Sequence, residues 1–237
     1  MSCEMTEPLK NQANRFLLAC AGAEVDTTPI WIMRQAGRYL PDYQRTRARA
    51  GDFLTLCKTP ELACEVTVQP VERLGVDAAI LFSDILIPLE AMGLPLAFTE
   101  EGPKVRPVRS AEEIAALRVP EAAECGFVLE AVRLCRRELA GRVPLIGFAG
   151  APFTMLTYAV EGQTGKQFVA TKKLLFAAPA QAHGQEVVLR IGQARARETH
   201  QHAAILRHQR EDMAGLDDVG GLGMLCHGGQ HGTRAIL

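Results

Sequence analysis

The chain has 237 residues, 48% of them apolar and 22% charged, with a formal net charge of −1. A chain of that length and apolar content can bury a sizeable core, which excludes a wholly disordered protein. The near-zero charge excludes the basic excess on which nucleic-acid or acidic-membrane binding relies, so neither partner is expected.

The N-terminal residues carry Glu4, Glu7 and Pro8 and no apolar signal core, and no stretch reaches the ~18 apolar residues of a membrane span. A cytoplasmic location is expected. Seven cysteines, Cys3, Cys20, Cys57, Cys64, Cys125, Cys135 and Cys226, contain no C-x-x-C pair and read as reduced, mostly buried thiols.

Residues 11–21 have apolar side chains at helical spacing. Asp26-Thr27-Thr28-Pro29 is turn chemistry, and Pro29 opens a first predicted strand, Ile30 to Met33. That strand runs into Arg34-Gln35-Ala36-Gly37-Arg38. Arginine donates paired hydrogen bonds to carboxylates and stays charged at any relevant pH, and Gly37 lets the backbone turn or approach a ligand closely. On spacing alone two readings stay open: a cationic rim for an anionic small molecule, or a loop of solvated arginines. Pro41 to Arg49, with Arg45, Arg47 and Arg49, reads mainly as a solvated helix face.

Thr59-Pro60-Glu61 has the chemistry of a helix start, with Thr59 as N-cap, and Gly75 closes the helix. Val76 to Phe82 is an almost continuous apolar run, the pattern of a parallel strand buried on both faces. It ends in Ser83-Asp84. A carboxylate there can accept hydrogen bonds from ligand N–H groups, or cap the next helix. Residues 93–109, with three prolines, read as irregular. Ser110 to Glu113 resembles a capping box, a stronger helix is expected over residues 122–140, and Val143 to Phe148 forms a third strand. The next helix carries Tyr158, either a cleft phenol or a helix-surface tyrosine. A further helix is expected over residues 166–177.

Strands alternating with helices predict an α/β fold with a parallel sheet, either open and doubly wound or a (β/α) barrel. In both, ligands gather at the carboxyl ends of the strands. All three predicted strands end in polar or glycine-rich groups.

Gly162 to Lys166 lacks the spacing of a phosphate loop, and no dinucleotide fingerprint follows any strand. Beyond Gly184 the composition changes. No aromatic residue follows Phe176, and five of the six histidines and nine of the 21 glycines fall in residues 184–237. This Gly/His-rich tail is expected to be poorly ordered and to add no strand. Its histidines, with Cys226, match no standard zinc spacing, so no metal site is expected.

Three motifs in order, MRQAGRYLP (Met33 to Pro41), FSDIL (Phe82 to Leu86) and GFAGAPFTMLTYAVEG (Gly147 to Gly162), closely resemble the uroporphyrinogen decarboxylase family. The resemblance covers residues 11–183. It implies a TIM-type (β/α)8 barrel, here its N-terminal part and incomplete, working as a homodimer without cofactor or metal. The implied reaction converts uroporphyrinogen III to coproporphyrinogen III by removing four acetate carboxyl groups, a step in haem and porphyrin biosynthesis.

By the same resemblance Arg34, Gln35, Ala36, Gly37 and Arg38 form the substrate-binding loop. Asp84 is the catalytic acceptor of pyrrole N–H groups, Tyr158 lines the cleft, and Arg47 is a further substrate-side arginine. The family's late Gly-His-Gly loop finds only a faint echo in Leu225-Cys226-His227-Gly228. The change of character after residue 183 leads to two expectations: a truncated or frame-shifted continuation, and little decarboxylase activity from this chain alone. Two alternatives stand beside this reading. One is a barrel methyltransferase of the cobalamin- or zinc-linked kind; the other is a non-catalytic porphyrinogen-binding fragment.

Overall fold

A computed structural model describes residues 15–33, 39–163, 165, 167–176, 224–227 and 234–236. Its first four helices are α1 (Arg15–Cys20), α2 (Pro41–Ala50), α3 (Phe53–Lys58) and α4 (Pro60–Leu74). A short strand β1 (Ala79–Ile80) follows, then α5 (Ile87–Ala91) and a hairpin of β2 (Leu96–Thr99) and β3 (Gly102–Val105). Next come α6 (Ala111–Ala115), a 3₁₀ turn (Ala122–Cys125), α7 (Gly126–Leu139), β4 (Leu145–Gly150), α8 (Pro152–Glu161) and α9 (Val169–Phe176). Two strands, β5 (Met224–His227) and β6 (Arg234–Ile236), complete the described elements.

The main sheet has the order β1-β4-β5-β6, in which β1, β4 and β5 run parallel and β6 is antiparallel to β5. Among the described residues no helix is long and apolar enough to cross a membrane.

Helices α4 and α6 form where the sequence supplies their ends. Helix α4 starts with Pro60 in its first turn, where a missing N–H does no harm, and stops at Gly75 in the left-handed conformation. Helix α6 begins in a full capping box: Ser110 accepts from the Glu113 N–H, and the Glu113 carboxylate accepts from the Ser110 N–H. Helix α4 lies against α7 and buries Ala63, Cys64, Val68 and Val71 against Val128, Ala131, Val132, Cys135 and Leu139. Each fully buried valine or leucine there contributes about 1.5–3 kcal/mol relative to exposure. A second cluster fills the space between α5, the hairpin, α6 and α8, centred on Leu86, Leu89, Met92, Ile114, Leu156 and Val160.

Three expectations are corrected and one is refined. Ile30 to Met33 is not a strand, and Ile30 is 60% and Met33 49% exposed. Its apolar residues have the propensity, yet among the described residues only Ile30 engages a neighbouring backbone, through the Asp77 N–H at 2.7 Å. Thr59 stands at the N-cap of α4, but its hydroxyl donates to the Thr55 carbonyl at 2.8 Å. Helix α3 ends immediately before it, and both the N–H and the hydroxyl of Thr59 donate to the Thr55 carbonyl at the end of that helix. Residues 96–105, read as irregular, form the β2–β3 hairpin.

The tail does add strands. Met224, Leu225 and Cys226 form a short apolar run hidden within a glycine-rich average, and the open edge of β4 offers them a row of backbone partners.

Candidate functional site

Because β1, β4 and β5 are parallel, their carboxyl ends share one edge of the sheet. Asp84 follows β1, Gly150 ends β4, and His227 ends β5 in register with Gly150. In the sequence, Leu225-Cys226-His227-Gly228 is only a faint echo of the family's late loop. The strand pairing puts the His227 backbone at the same edge as the other two.

Asp84 is partly buried in the turn between β1 and α5. Its Oδ1 accepts from the Leu86 N–H at 2.8 Å, and its carbonyl accepts from the Ile87 N–H at 3.4 Å. The helix-entry role and the acceptor role therefore coexist, since Oδ2 has no hydrogen-bond partner among the described residues. Burial pushes the carboxyl up from 3.8 to about 6, and the Leu86 N–H opposes that rise. A carboxylate that is costly to charge and has an oxygen to spare is suited to accept hydrogen bonds from a ligand N–H or to stand beside a forming positive charge.

The strand end is held from behind. Thr67 on α4 accepts from the Phe82 N–H at 2.9 Å and donates to the Ala63 carbonyl at 2.7 Å, which fixes the backbone two residues before Asp84. On β4, a Cβ at Gly150 would collide with the Met155 side chain, so glycine leaves room for Met155 beside the β4 end, within van der Waals reach of Ile85.

Tyr158 lies in the second turn of α8, partly buried. It packs, as Ile85 does, against the cluster containing Leu86 and Met155. Residues flanking the Asp84 turn and Tyr158 thus share one wall. Arg47, on α2, is partly buried. The thiol of Cys57, raised by burial and then by the Asp84 charge, is lowered by Arg47, so both charged groups act on the same buried sulfur. Arg34, Gln35, Ala36, Gly37 and Arg38 lie outside the described residues.

Sequence reasoning missed an aromatic row beside the site. Phe82 meets Tyr43 with centroids 6.1 Å apart and Phe53 at 5.6 Å, and Phe53 meets Phe98 at 4.4 Å. Phe98 belongs to the unpredicted hairpin and Phe53 to a helix of six residues, too short to show a period. The usable signal was Asp52, whose side chain accepts from the Thr55 N–H and caps that helix.

The family model for uroporphyrinogen decarboxylase (URO-D) matches residues 11–189. Proteins named uroporphyrinogen decarboxylase from a Geobacter species and from Nitrosococcus oceani are both 58% identical, over 166 and 178 residues; the matches cover 70% and 74% of this chain and 49% of each relative. One from an Enterobacter species is 56% identical over 182 residues, covering 76% of this chain and 51% of the relative. The chain thus spans about half the length of the curated relatives it matches.

Among solved structures, a methyltransferase from Methanosarcina mazei superposes with a TM-score of 0.63 at 18% identity, covering 82% of this chain and 56% of that one. This likeness speaks to the α/β fold alone. The length of the family match and the closeness of these relatives establish that the chain belongs to the uroporphyrinogen decarboxylase family.

Proposed function

We propose that this chain carries the acceptor and the arginine loop of a uroporphyrinogen decarboxylase, acting on the four acetate arms of uroporphyrinogen III to give coproporphyrinogen III. The observation that carries the reading is Asp84: an acid at the carboxyl end of a parallel strand, desolvated, with Oδ2 unpartnered among the described residues. A porphyrinogen has N–H donors at its centre and eight carboxylates at its rim. It needs one acceptor within and cations around; Asp84 suits the first, and by the family resemblance Arg34, Arg38 and Arg47 suit the second, with Tyr158 lining the cleft.

The chemistry follows from the substrate. Protonating a pyrrole ring carbon makes the ring cationic and turns it into an electron sink. The bond from the acetate methylene to its carboxylate then breaks, CO₂ leaves, and the electron pair neutralises the ring. A second proton on the exocyclic methylene and loss of one from the ring complete the methyl, so each acetate consumes one proton net. Ionised Asp84, near the ring nitrogens, stabilises the cationic state; a preorganised contact of this kind is worth roughly 2.7–4 kcal/mol of barrier. The family resemblance also supports the N-terminal part of a TIM-type barrel, incomplete in this chain, a cytoplasmic homodimer and no cofactor. Sedimentation velocity checks the dimer.

Anaerobic incubation with uroporphyrinogen III, followed by separation of the oxidised products, tests the reaction. A low level of coproporphyrinogen formation that is lost in Asp84→Asn is the expected result. Undiminished turnover in that variant removes Asp84 from the chemistry. Methyl transfer to or from a corrinoid with bound zinc, and no release of CO₂, overturns the whole reading.

A further inference from the structure

Helix α3 is only six residues long, yet it is fixed at both ends and across its face. Asp52 caps its start by accepting from the Thr55 N–H at 2.9 Å. At its end Lys58 Nζ donates to Glu90 Oε1 of α5 at 2.7 Å. The Asp84 turn lies at a seam between two apolar clusters. Leu81 and Ile87 lie in the one shared by α4 and α7, whereas Leu86, with Ile85 against it, lies in the one around the hairpin and α8. Leu54 of α3 packs against both. Cys57, one turn on from Phe53, is 1% exposed and shares a cluster with Leu81 and Ile87, which flank Asp84 in the chain. Of the charged groups, Asp84 acts most strongly on its thiol, ahead of Arg47, Asp52 and Lys58.

We propose that Cys57 is a positioning residue for Asp84: its sulfur closes the seam to water and keeps that carboxyl a dry acceptor for the N–H groups of a macrocycle. This rests on the reading of Asp84 given above. A buried free cysteine behaves as a small apolar group. Beside a carboxyl, such a wall disfavours the charged form and strengthens each hydrogen bond the acceptor makes. Burial is the largest influence on Asp84, the Leu86 N–H opposes it, and no charged side chain among the described residues ranks with them. Arg47 of α2 and Asp52 at the head of α3 act on the Cys57 sulfur, while Lys58 and Glu90 satisfy each other. Tyr158 of α8 brings a phenol to the same wall. A hydroxyl in place of the thiol can donate to the carboxylate or recruit water to it.

The test follows Asp84 by two readouts across pH 4–8. One is thermal unfolding without ligand; the other is anaerobic equilibrium dialysis of coproporphyrinogen III, quantified after oxidation to the porphyrin. Asp84→Asn defines the part of each profile that belongs to this carboxyl. Cys57→Ser is expected to move that part down by about one pH unit in both readouts, which at pH 5 tightens binding about fivefold. Cys57→Ala leaves a small apolar void that stays dry. It is expected to lower the melting temperature but to leave both midpoints in place. The ligand's own carboxylates titrate alike in every arm. Should circular dichroism show Cys57→Ser unfolded, the charge-neutral pair Lys58→Ala with Glu90→Ala, which frees the end of α3, decides by the same downward shift.

Unmoved midpoints in Cys57→Ser overturn the proposal, as does an equal shift in Cys57→Ser and Cys57→Ala, which marks general loosening. If binding depends on Asp84 but its profile ignores Cys57→Ser, the positioning role falls and the acceptor stands. If binding is absent or indifferent to Asp84→Asn, the reading of Asp84 itself has failed and the positioning role falls with it.

Discussion

The pH response of single side chains is most informative at Asp84. Its folded-state carboxyl titrates near 6 against an ordinary 3.8, because burial opposes its charge. The folded protein therefore binds more protons than the unfolded one between those values, and stability contributed by the neutral acid is lost as pH rises through that window. Asp84→Asn is expected to abolish this slope and to stabilise the protein at pH 7 by on the order of 1 kcal/mol, as measured by thermal unfolding across pH 4–8. Macrocycle affinity should move oppositely, rising through pH 6 as the acceptor ionises. Thr67 is the second informative residue. Thr67→Val keeps the shape but leaves the Phe82 N–H unpaired, which costs about 1–3 kcal/mol by denaturant unfolding; an unchanged midpoint would show that the hydroxyl does not hold the strand end.

At the level of elements, the hairpin and the residues after it are joined to α8 by backbone hydrogen bonds as well as by their shared apolar cluster. The Val105 N–H donates to the Gly162 carbonyl at 2.7 Å and the Val108 N–H to the Ala159 carbonyl at 2.8 Å. Gly162 has φ +81°, and a Cβ there would stand 2.9 Å from the Val105 carbonyl oxygen. Gly162→Ala is thus both strained and blocked, with an expected loss of about 1–3 kcal/mol in chemical denaturation.

Legibility followed the same physics. Helices α4 and α7 were readable because their apolar stripes and end signals are local. Segment β4 and the run leading into β1 were readable because parallel strands are apolar throughout. The hairpin was not, since Pro95 and Pro103 mask strand propensity and its partner Gln163 lies 59 positions from Lys104. Ile30 to Met33 misled in the other direction, because propensity does not report whether a neighbour is present along the whole strand. Asp84 and Tyr158 were legible through strand-end position and family motif. The aromatic row was not, because it is assembled from three distant segments.

For the whole molecule, the sheet is assembled from pieces far apart in the chain. β1 meets β4 across the hairpin and helices α5 to α7, whereas β4 and β5 lie about seventy positions apart in the sequence. Bringing together segments so far apart in the chain costs entropy, and a four-residue strand has few backbone bonds with which to offset it. Strand β5 is therefore the last to seat and the first to leave. Amide hydrogen exchange should show Met224 to His227 exchanging well ahead of Leu145 to Ile146, and equal protection would contradict this order. Whenever β5 departs, β4 presents a bare ladder of donors and acceptors between two glycines, a vacancy that an extended segment of a second molecule can fill by strand exchange. High protein concentration then selects for swapped assemblies, with light scattering growing as the square of concentration in its earliest phase.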